Sequence, residues 1–199
     1  AFRLAEELSV PVMVCMDGFI LTHAYERVDM PSQEQVDQFL PPYVPRQVLD
    51  TARPVSIGAM VGPEAFTEVR YLAHVKQMQA LDLIPKLADE FKAIFGRDSG
   101  GLVRSYRTED AETIVVAMGS VLGTIKDTID EMRDAGVKIG VLGVISFRPF
   151  PLEAVRAALK NAKRVVVLEK TFAVGIGGIL ATDVRTALAG IPHASYTVV

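Results

Sequence analysis

The chain has 199 residues, of which half are apolar and 23% are charged, and its formal net charge is −3. This is the balance of a soluble globular protein, and it excludes a strongly basic surface of the kind that attracts nucleic acid or an anionic membrane. The longest apolar runs fall well short of the ~20 residues that cross a bilayer. We therefore expect neither nucleic acid nor membrane as a partner, and a cytoplasmic location.

The cysteine and histidine content limits the chemistry further. Cys15 is the only cysteine, so an intrachain disulfide is impossible and a reducing compartment is indicated. An iron–sulfur cluster held by this chain alone is excluded, because such clusters need about four thiolates. The histidines, His23, His74 and His193, lack the spacing of metal ligands. We predict no metal site in this chain, and we expect His74 and His193 to be surface residues.

The first part of the chain has one helical and one strand-like pattern. Residues 1–8 have the pattern of a helix without a start signal, and residues 10–16, VPVMVCM, have the apolar character of a buried strand. Ser32 followed by Gln35 forms a capping-box pattern, which predicts a short helix. Because the chain begins in a helix and ends in a strand-like run, we expect it to be a piece of a longer polypeptide.

A proline-rich connection and helices follow. Four prolines between residues 41 and 54 favour an extended surface segment. Pro63 is placed to start a long helix, Pro85 is expected to break or kink it, and Gly96 is placed to end it. We predict that residues 41–105 form a proline-rich linker with helices.

The rest of the chain alternates between strands and helices. Strands are predicted at TIVVAM (113–118), KIGVLGVI (138–145), RVVVLE (164–169) and SYTVV (195–199), with a helix between neighbours. Crossovers of this kind join parallel strands, and continuous apolar runs are typical of strands covered on both faces. The predicted fold class is α/β, a mostly parallel open sheet with helices on both faces, preceded by a helical linker and a remnant of a second α/β domain.

A glycine loop lies within LEKTFAVGIGGILATDV, residues 168–184. Gly175 and Gly177 match the first and third glycines of the dinucleotide-binding pattern, but its sixth position is Leu180, so dinucleotide binding is not expected. Gly177 and Gly178 could instead let a helix approach a strand closely. A third reading is that the free N–H groups of the helix start face another subunit or an anion.

Several segments resemble known enzymes. IVVAMGS, SFRPFPLEAVRAAL and the glycine loop are similar to the C-terminal domain of the transketolase and 2-oxoacid dehydrogenase superfamily. VPVMVCMDGFILTHAYERVDMP, FLPPYVPRQVLD and FGRDSGGLVRSYRTEDAETIVVAMGS extend the resemblance over essentially the whole chain. It resembles the alpha subunit of the 2-oxoacid:ferredoxin oxidoreductases, with pyruvate:ferredoxin oxidoreductase (pyruvate synthase) as the best match. Only the GRDSG loop departs from the family pattern.

The resemblance implies a thiamine-diphosphate-dependent enzyme that oxidatively decarboxylates a 2-oxoacid, with pyruvate preferred. It implies acyl transfer to coenzyme A and electron transfer through iron–sulfur clusters to ferredoxin or flavodoxin. Thiamine diphosphate, Mg, iron–sulfur clusters and coenzyme A are expected in the complete enzyme, and none is expected to bind tightly to this chain. Expected partners are the other subunits of the complex, and a homo-oligomer is compatible with the resemblance. The chain alone should be inactive.

The resemblance also divides the chain. Residues 1–40 correspond to the end of a pyrimidine-binding domain, residues 41–105 to the linker, and residues 106–199 to a truncated transketolase C-terminal-like domain. Two alternatives remain. One is the C-terminal domain of a transketolase or a 2-oxoacid dehydrogenase beta subunit, against which FLPPY (39–43) and YRTEDAE (106–112) argue. The other is a non-catalytic interaction module.

Candidate site residues follow from the same comparison, and none is assigned as catalytic. Asp17, His23 and Arg148 are candidates for cofactor contact. Each has a simpler structural interpretation: a turn cap for Asp17, a backbone hydrogen bond for His23 and an ion pair with a partner subunit for Arg148. Ser120 is predicted as a helix N-cap. The predicted subunit-interface residues are Glu169, Lys170, Gly175, Gly177 and Gly178.

Overall fold

The computed structural model describes residues 1–58, 60–191 and 195–198. These residues form two units, one made of 1–14 with 27–99 and one made of 15–26 with 100–199. The predicted division at 1–40, 41–105 and 106–199 concerns inherited domains rather than compact units, and it stays a prediction. The helices and strands in chain order are α1 Phe2–Leu8, α2 Gln33–Phe39, α3 Pro63–Phe95, β1 Val103–Tyr106, β2 Thr113–Ala117, α4 Val121–Asp134, β3 Ile139–Val144, α5 Leu152–Leu159, β4 Arg164–Val167, α6 Ile179–Ala187 and β5 Ser195–Val198.

The first unit is built around the second half of α3, against which both α1 and α2 pack. Phe39 of α2 meets Phe91 and Phe95 of α3 edge-on, with ring centroids 5.5 and 5.6 Å apart. Such edge-to-face pairs add to the stabilisation from apolar burial. Arg3 of α1 donates a hydrogen bond to the carbonyl oxygen of Phe39 at 2.6 Å. The three helices therefore meet at one aromatic cluster.

Local signals place the helix ends correctly. The predicted capping box is present: the Ser32 hydroxyl accepts the N–H of Gln35, and the Gln35 side chain accepts the N–H of Ser32. The predicted start and end of α3 are confirmed, with Pro63 in the first turn and Gly96 in the left-handed conformation at φ +68°. These signals act over a few residues and need no distant partner.

Pro85 was predicted to break or kink the helix; the break is wrong, because Pro85 lies inside the continuous helix α3, and the kink stays a prediction. A proline in a helix interior removes one backbone hydrogen bond and costs about 3 kcal/mol. Ala80 and Leu87, on either side of it, are buried, at 4% and 8% exposure. Tertiary packing of the flanking turns therefore keeps the helix continuous.

The strand predicted at residues 10–16 is also wrong. The backbone of this segment joins no sheet, and the side chains of Met13 and Met16 are 85% and 65% exposed. An apolar run becomes a strand only when a neighbouring strand pairs with its N–H and C=O groups. In the described part of the chain, no strand pairs with this one.

The second unit contains a five-stranded sheet in the order β1-β3-β2-β4-β5. β3, β2, β4 and β5 run parallel, which confirms the predicted mostly parallel α/β sheet. β1 pairs antiparallel with β3, with Val103 opposite Val144. β1 was not predicted, and its residues 103–105 fall in the predicted linker, because this short edge strand lacks the apolar continuity of the central strands.

The strands bury both faces of the sheet. Ile114 and Val116 of β2 face α5 and α6, where Val155 and Val184 are fully buried. Val115, between them, faces the opposite side and packs on the cluster around Ile129 of α4. Each fully buried Val, Leu or Ile side chain contributes roughly 1.5–3 kcal/mol relative to exposure. Because alternate side chains of β2 point to opposite faces and both sets pack on helices, the sheet is covered by helices on both faces, as predicted.

The order of the strands creates a switch point, which we define as the adjacent carboxyl ends of β2 and β4. From β2 the chain crosses through α4 to β3, whereas from β4 it crosses through α6 to β5 in the opposite direction. The loops that leave these two strands therefore diverge and open a crevice between them. In open α/β sheets, ligands bind at such crevices.

One glycine of β3 provides a test of the sheet packing. A Cβ at Gly140 would overlap the backbone carbonyl oxygen of Arg107, whereas a Cβ at Gly123 in α4 would meet nothing within 4 Å. We expect Gly140→Ala to destabilise the protein by about 1–3 kcal/mol through overpacking. Gly123→Ala, the matched control, should stabilise it by about 0.5–1 kcal/mol. Urea unfolding measures both, and equal effects would contradict the packing described for β3.

Candidate functional site

A cavity of about 540 Å³ opens at the switch point of the second unit. Its wall is formed by residues 15–17, 118–121, Phe147, 168–171 and 179–180. Segments 118–121 and 168–171 follow β2 and β4, so the cavity lies where ligands bind in this fold class. Most of its surface is apolar, with Asp17, Glu169 and Lys170 as its charged groups.

Glu169 caps helix α6. Its two carboxylate oxygens accept the backbone N–H groups of Leu180 and Ala181, each at 2.9 Å. These are N–H groups of the first turn, which have no partner inside the helix. The N-cap residue, Gly178, has no side chain to serve them. Glu169 therefore performs from the end of β4 the role that a Ser or Asp usually performs at the N-cap position.

The glycine loop is shaped by this cap. A Cβ at Gly178 would overlap the Glu169 carboxylate, so the bare backbone at this position admits the capping group. Gly175 and Gly177 have φ of +89° and +91° and open space around them, so they serve a turn rather than a close approach. Ala173 and Gly177 close that turn with two backbone hydrogen bonds. The sequence suggested that Gly177 and Gly178 let a helix approach a strand closely. In the structure, the close contact is between the backbone of Gly178 and the side chain of Glu169, and Gly177 takes no part in it.

Asp17 caps helix α4 through a single contact, to the N-cap residue. One of its carboxylate oxygens accepts the backbone N–H of Ser120, a residue 103 positions away. The predicted N-cap role of Ser120 is correct in position only, since its own side chain makes no capping hydrogen bond. A Cβ at Gly119 would come within 2.7 Å of the same oxygen. Both helices that border the switch point are therefore capped by a carboxylate that lies against a glycine.

Hydrogen bonds from the backbone N–H and then the side chain of Ser120 lower the pKa of the Asp17 carboxyl, and Lys170 adds to the effect. A hydrogen bond to the ionised form stabilises that form. The carboxyl therefore stays ionised, and the contact intact, until the pH falls below the usual range of an aspartate.

The two caps determine what the helix starts can bind. A phosphate at a helix N-terminus needs free N–H groups and the positive end of the helix dipole. At α6 the N–H groups of Leu180 and Ala181 already donate to Glu169, and at α4 Asp17 is the acceptor. A phosphate placed there would meet a carboxylate instead of free donors. These two positions therefore do not fit a diphosphate.

Arg148 pairs within its own chain. Its guanidinium donates to both carboxylate oxygens of Asp183, at 2.8 and 3.3 Å, and lies 4.2 Å from the ring centroid of Phe147. The sequence suggested that Arg148 binds either a cofactor anion or a carboxylate of a partner subunit. In the structure it binds Asp183, a carboxylate of α6 in the same chain. Arg148 is therefore held beside the cavity, of which Phe147 forms part of the wall.

His23 lies in an exposed turn and does not line the cavity. Its ring stacks on Phe19 with centroids 4.7 Å apart, and its Nδ1 is 2.9 Å from the hydroxyl of Thr22. Its backbone N–H donates to the carbonyl oxygen of Phe19. A backbone hydrogen bond was expected for His23, and the contacts of His23 named here all lie within its own turn.

Lys170 and the glycine loop lie at the rim of the cavity. Lys170 is exposed and forms part of the cavity wall. Beyond it, the loop presents three apolar side chains to solvent, namely Phe172, Val174 and Ile176, at 76%, 95% and 69% exposure. Exposed apolar groups that cluster in this way are typical of interaction surfaces.

The described part of the chain contains no group of three or more His, Cys, Asp or Glu side chains placed to hold a metal ion. His193 lies outside the described residues, and Cys15 and His74 are exposed. Among the described helices, none has both the length and the apolar character needed to cross a bilayer.

Sequence reasoning did not identify Glu169 as a cap or Ser120 as the group that Asp17 binds. A weak signal exists for the first: a glutamate ends a strand, and the next helix starts at a glycine, which has no capping side chain. No local signal exists for the second, since a separation of 103 residues lies beyond any pattern in the sequence.

Comparison with protein families gives two matches. Residues 1–89 match the model described as pyruvate flavodoxin/ferredoxin oxidoreductase, thiamine diphosphate-binding. Residues 111–199 match the model described as pyruvate:ferredoxin oxidoreductase core domain II. The two matches lie one after the other and leave only residues 90–110 between them.

Curated relatives agree with both matches. The chain is 46% identical, over 99% of its length, to pyruvate synthase subunit PorA of Methanosarcina barkeri, and 40% identical, over 94%, to the PorA of Pyrococcus furiosus. It is 38% identical, over 94%, to ketoisovalerate oxidoreductase subunit VorA of Pyrococcus horikoshii. It covers 51%, 48% and 48% of these proteins, so it spans about half the length of the curated relatives it matches.

A solved structure shares the fold. The 2-oxoglutarate:ferredoxin oxidoreductase from Magnetococcus marinus, with 2-oxoglutarate, coenzyme A and succinyl-CoA bound, aligns with a TM-score of 0.51 at 14% identity. The alignment covers 79% of this chain and 26% of that one. At this identity the match supports the fold only, whereas the family models and the relatives establish descent. The chain belongs to the pyruvate:ferredoxin oxidoreductase family.

Proposed function

We propose that this chain is part of a 2-oxoacid:ferredoxin oxidoreductase whose substrate is pyruvate. In the reaction, pyruvate and coenzyme A give acetyl-CoA, carbon dioxide, one proton and two electrons, and the electrons reduce ferredoxin or flavodoxin. The carbon–carbon bond to the carboxylate breaks, and a thioester bond forms at the former keto carbon. The observation that carries the proposal is the succession of two pyruvate:ferredoxin oxidoreductase models along residues 1–89 and 111–199.

The relatives favour pyruvate among 2-oxoacids. Pyruvate synthase subunits match at up to 46% identity, compared with 38% for the ketoisovalerate oxidoreductase subunits. Both relatives belong to the same family, so a branched 2-oxoacid is the competing substrate. The difference in identity supports pyruvate as the first substrate to be tested.

The cofactors are proposed to lie mainly outside this chain. Thiamine diphosphate, when bound, supplies the stabilised carbanion chemistry that decarboxylation of a 2-oxoacid needs. Residues 1–89 match a model named for thiamine diphosphate binding, so this part of the chain is the one to test for a contribution to that site. In the second unit, by contrast, Asp17 and Glu169 occupy the helix starts. The iron–sulfur clusters are assigned to the remaining polypeptide, because one cysteine is too few for a cluster.

We assign this chain a role in assembly. Large apolar side chains are exposed in both units, among them Met13 and Met30 in the first and Val174 in the second. Exposed apolar side chains that cluster, as Phe172, Val174 and Ile176 do in the glycine loop, are typical of surfaces that a partner covers. The proposed subunit interface comprises Glu169, Lys170, Gly175, Gly177 and Gly178, which belong to the same segment as the exposed apolar residues of the glycine loop.

The substrate proposal is tested on the full-length protein expressed together with its partner subunits. With coenzyme A and a viologen as electron acceptor, we expect pyruvate to give a several-fold higher kcat/KM than ketoisovalerate, and this chain alone to give no turnover. The control omits coenzyme A. Higher efficiency with ketoisovalerate would overturn the substrate assignment, and turnover by the isolated chain would overturn the assembly role.

The interface proposal predicts that a charge at the loop tip weakens assembly. Val174→Asp places a carboxylate in the proposed contact, where desolvation opposes burial, so the fraction of assembled complex should fall several-fold. Val137→Asp is the matched control, because Val137 is also exposed but precedes β3, at the amino ends of the parallel strands, whereas the glycine loop follows the carboxyl end of β4. Light scattering after size-exclusion chromatography measures both. Equal assembly of the two variants would remove the loop from the interface.

A further inference from the structure

Residues 15–26 form a strap, which we define as a segment that belongs to the second unit although the residues on both sides of it along the chain belong to the first. Cys15, Met16 and Asp17, at its start, line the cavity at the switch point. Every residue of the strap is largely exposed except Asp17, which is half-buried. Apolar burial of the strap's own side chains therefore holds it only weakly.

Asp17 makes the contact that ties the strap to the sheet domain. Its carboxylate accepts the N–H of Ser120 at the start of α4, where the dipole of a 14-residue helix favours a negative charge. A hydrogen bond from an amide to an ionised carboxylate is stronger than a neutral one. Gly119 lacks the Cβ that would lie 2.7 Å from this oxygen. The contact thus depends on the charge of Asp17, on the N-terminus of α4 and on the absence of a side chain at Gly119.

Residues 19–23 of the strap form a turn that is held by its own contacts. The N–H of Phe19 donates to the hydroxyl of Thr22 at 2.9 Å, and the N–H of His23 donates to the carbonyl oxygen of Phe19 at 3.0 Å. The rings of Phe19 and His23 stack. These contacts hold the turn together internally. Its place on the second unit is therefore set by Asp17, two residues before Phe19.

We propose that Asp17 is the anchor of the strap: by capping α4 it holds the start of the strap at the switch point, where residues 15–17 close one side of the cavity, and it thereby fixes the position of the His23 turn. The dependence is mutual, because α4 has no capping group of its own. Asp17 therefore acts by positioning other residues, not by contacting a cofactor. This inference concerns a contact within the chain and stands independently of the substrate proposed above.

Hydrogen exchange of the full-length protein, assembled with its partner subunits, tests the anchor without any need for turnover. The readouts are peptides that cover the strap (15–26), the start of α4 (119–124) and, as a folding control, β3 (139–144). We expect Asp17→Ala to accelerate exchange of the strap and of the α4 start by about fivefold or more, the scale of a lost N-cap. Exchange in β3 should be unchanged. Asp17→Asn keeps an acceptor oxygen without the charge and should show a smaller acceleration.

A pair of glycine variants tests the same contact without altering Asp17. Gly119 and Gly136 lie at opposite ends of α4 with φ of +80° and +86°, so an alanine at either position introduces similar backbone strain. Only the Cβ at Gly119 meets Asp17, since a Cβ at Gly136 would meet nothing within 4 Å. Gly119→Ala should therefore release the strap, and Gly136→Ala should leave its exchange at the wild-type rate.

Three outcomes would overturn the anchor: strap exchange in Asp17→Ala at the wild-type rate, equal strap exchange in Gly119→Ala and Gly136→Ala, or a loss of thiamine diphosphate affinity in Asp17→Ala with unaltered strap exchange. The last outcome would assign Asp17 to the cofactor. If Asp17→Ala also accelerates β3, the domain itself is destabilised, and the two glycine variants then decide the question.

Discussion

The arrangement of the second unit depends on how two helix starts are satisfied at one edge of the sheet. α4 and α6 leave the carboxyl ends of β2 and β4, and neither has a capping side chain at its own N-cap. Four N–H groups at each helix start need acceptors. From other segments, Glu169 accepts two of them at α6 and Asp17 accepts one at α4, and each carboxylate fits because a glycine leaves room for it. At the switch point, the two carboxylate charges, the two glycines beside them and the segments that carry Asp17 and Glu169 therefore depend on one another.

Because of this constraint, the cavity differs from a nucleotide site on a similar sheet in the charge at the helix starts. The location is the one where α/β proteins bind ligands, yet a carboxylate already lies at each helix start, where Asp17 accepts the N–H of Ser120 and Glu169 accepts those of Leu180 and Ala181. The glycine loop, whose spacing resembles a nucleotide-binding turn, instead admits a capping glutamate at Gly178 and exposes an apolar tip at Val174. This agrees with the proposal that the second unit supports assembly while cofactor chemistry takes place elsewhere in the enzyme.

How much could be predicted from the sequence depended on the distance over which each determinant acts. The strands of the parallel sheet and the Ser32 capping box followed from apolar runs and a three-residue spacing. Residues 10–16 were mistaken for a strand, because pairing depends on a neighbour that the pattern does not reveal. Of the break or kink expected at Pro85, the break does not occur, because packing on both sides outweighs one lost hydrogen bond. The candidate site was predicted in its residues but not in its contacts: Asp17 was singled out, whereas its partner Ser120 is distant in sequence.

The most direct measurement of the central claim is the exchange rate of the Leu180 and Ala181 amides in Glu169→Ala, with Glu153→Ala as control. Glu153 is an exposed acidic residue in the first turn of α5, so its removal changes the same charge without removing this cap. The account predicts several-fold faster exchange of both amides in Glu169→Ala, matched by a loss of about 1–2 kcal/mol of stability, and wild-type rates in the control. Wild-type protection of the two amides without Glu169 would contradict it.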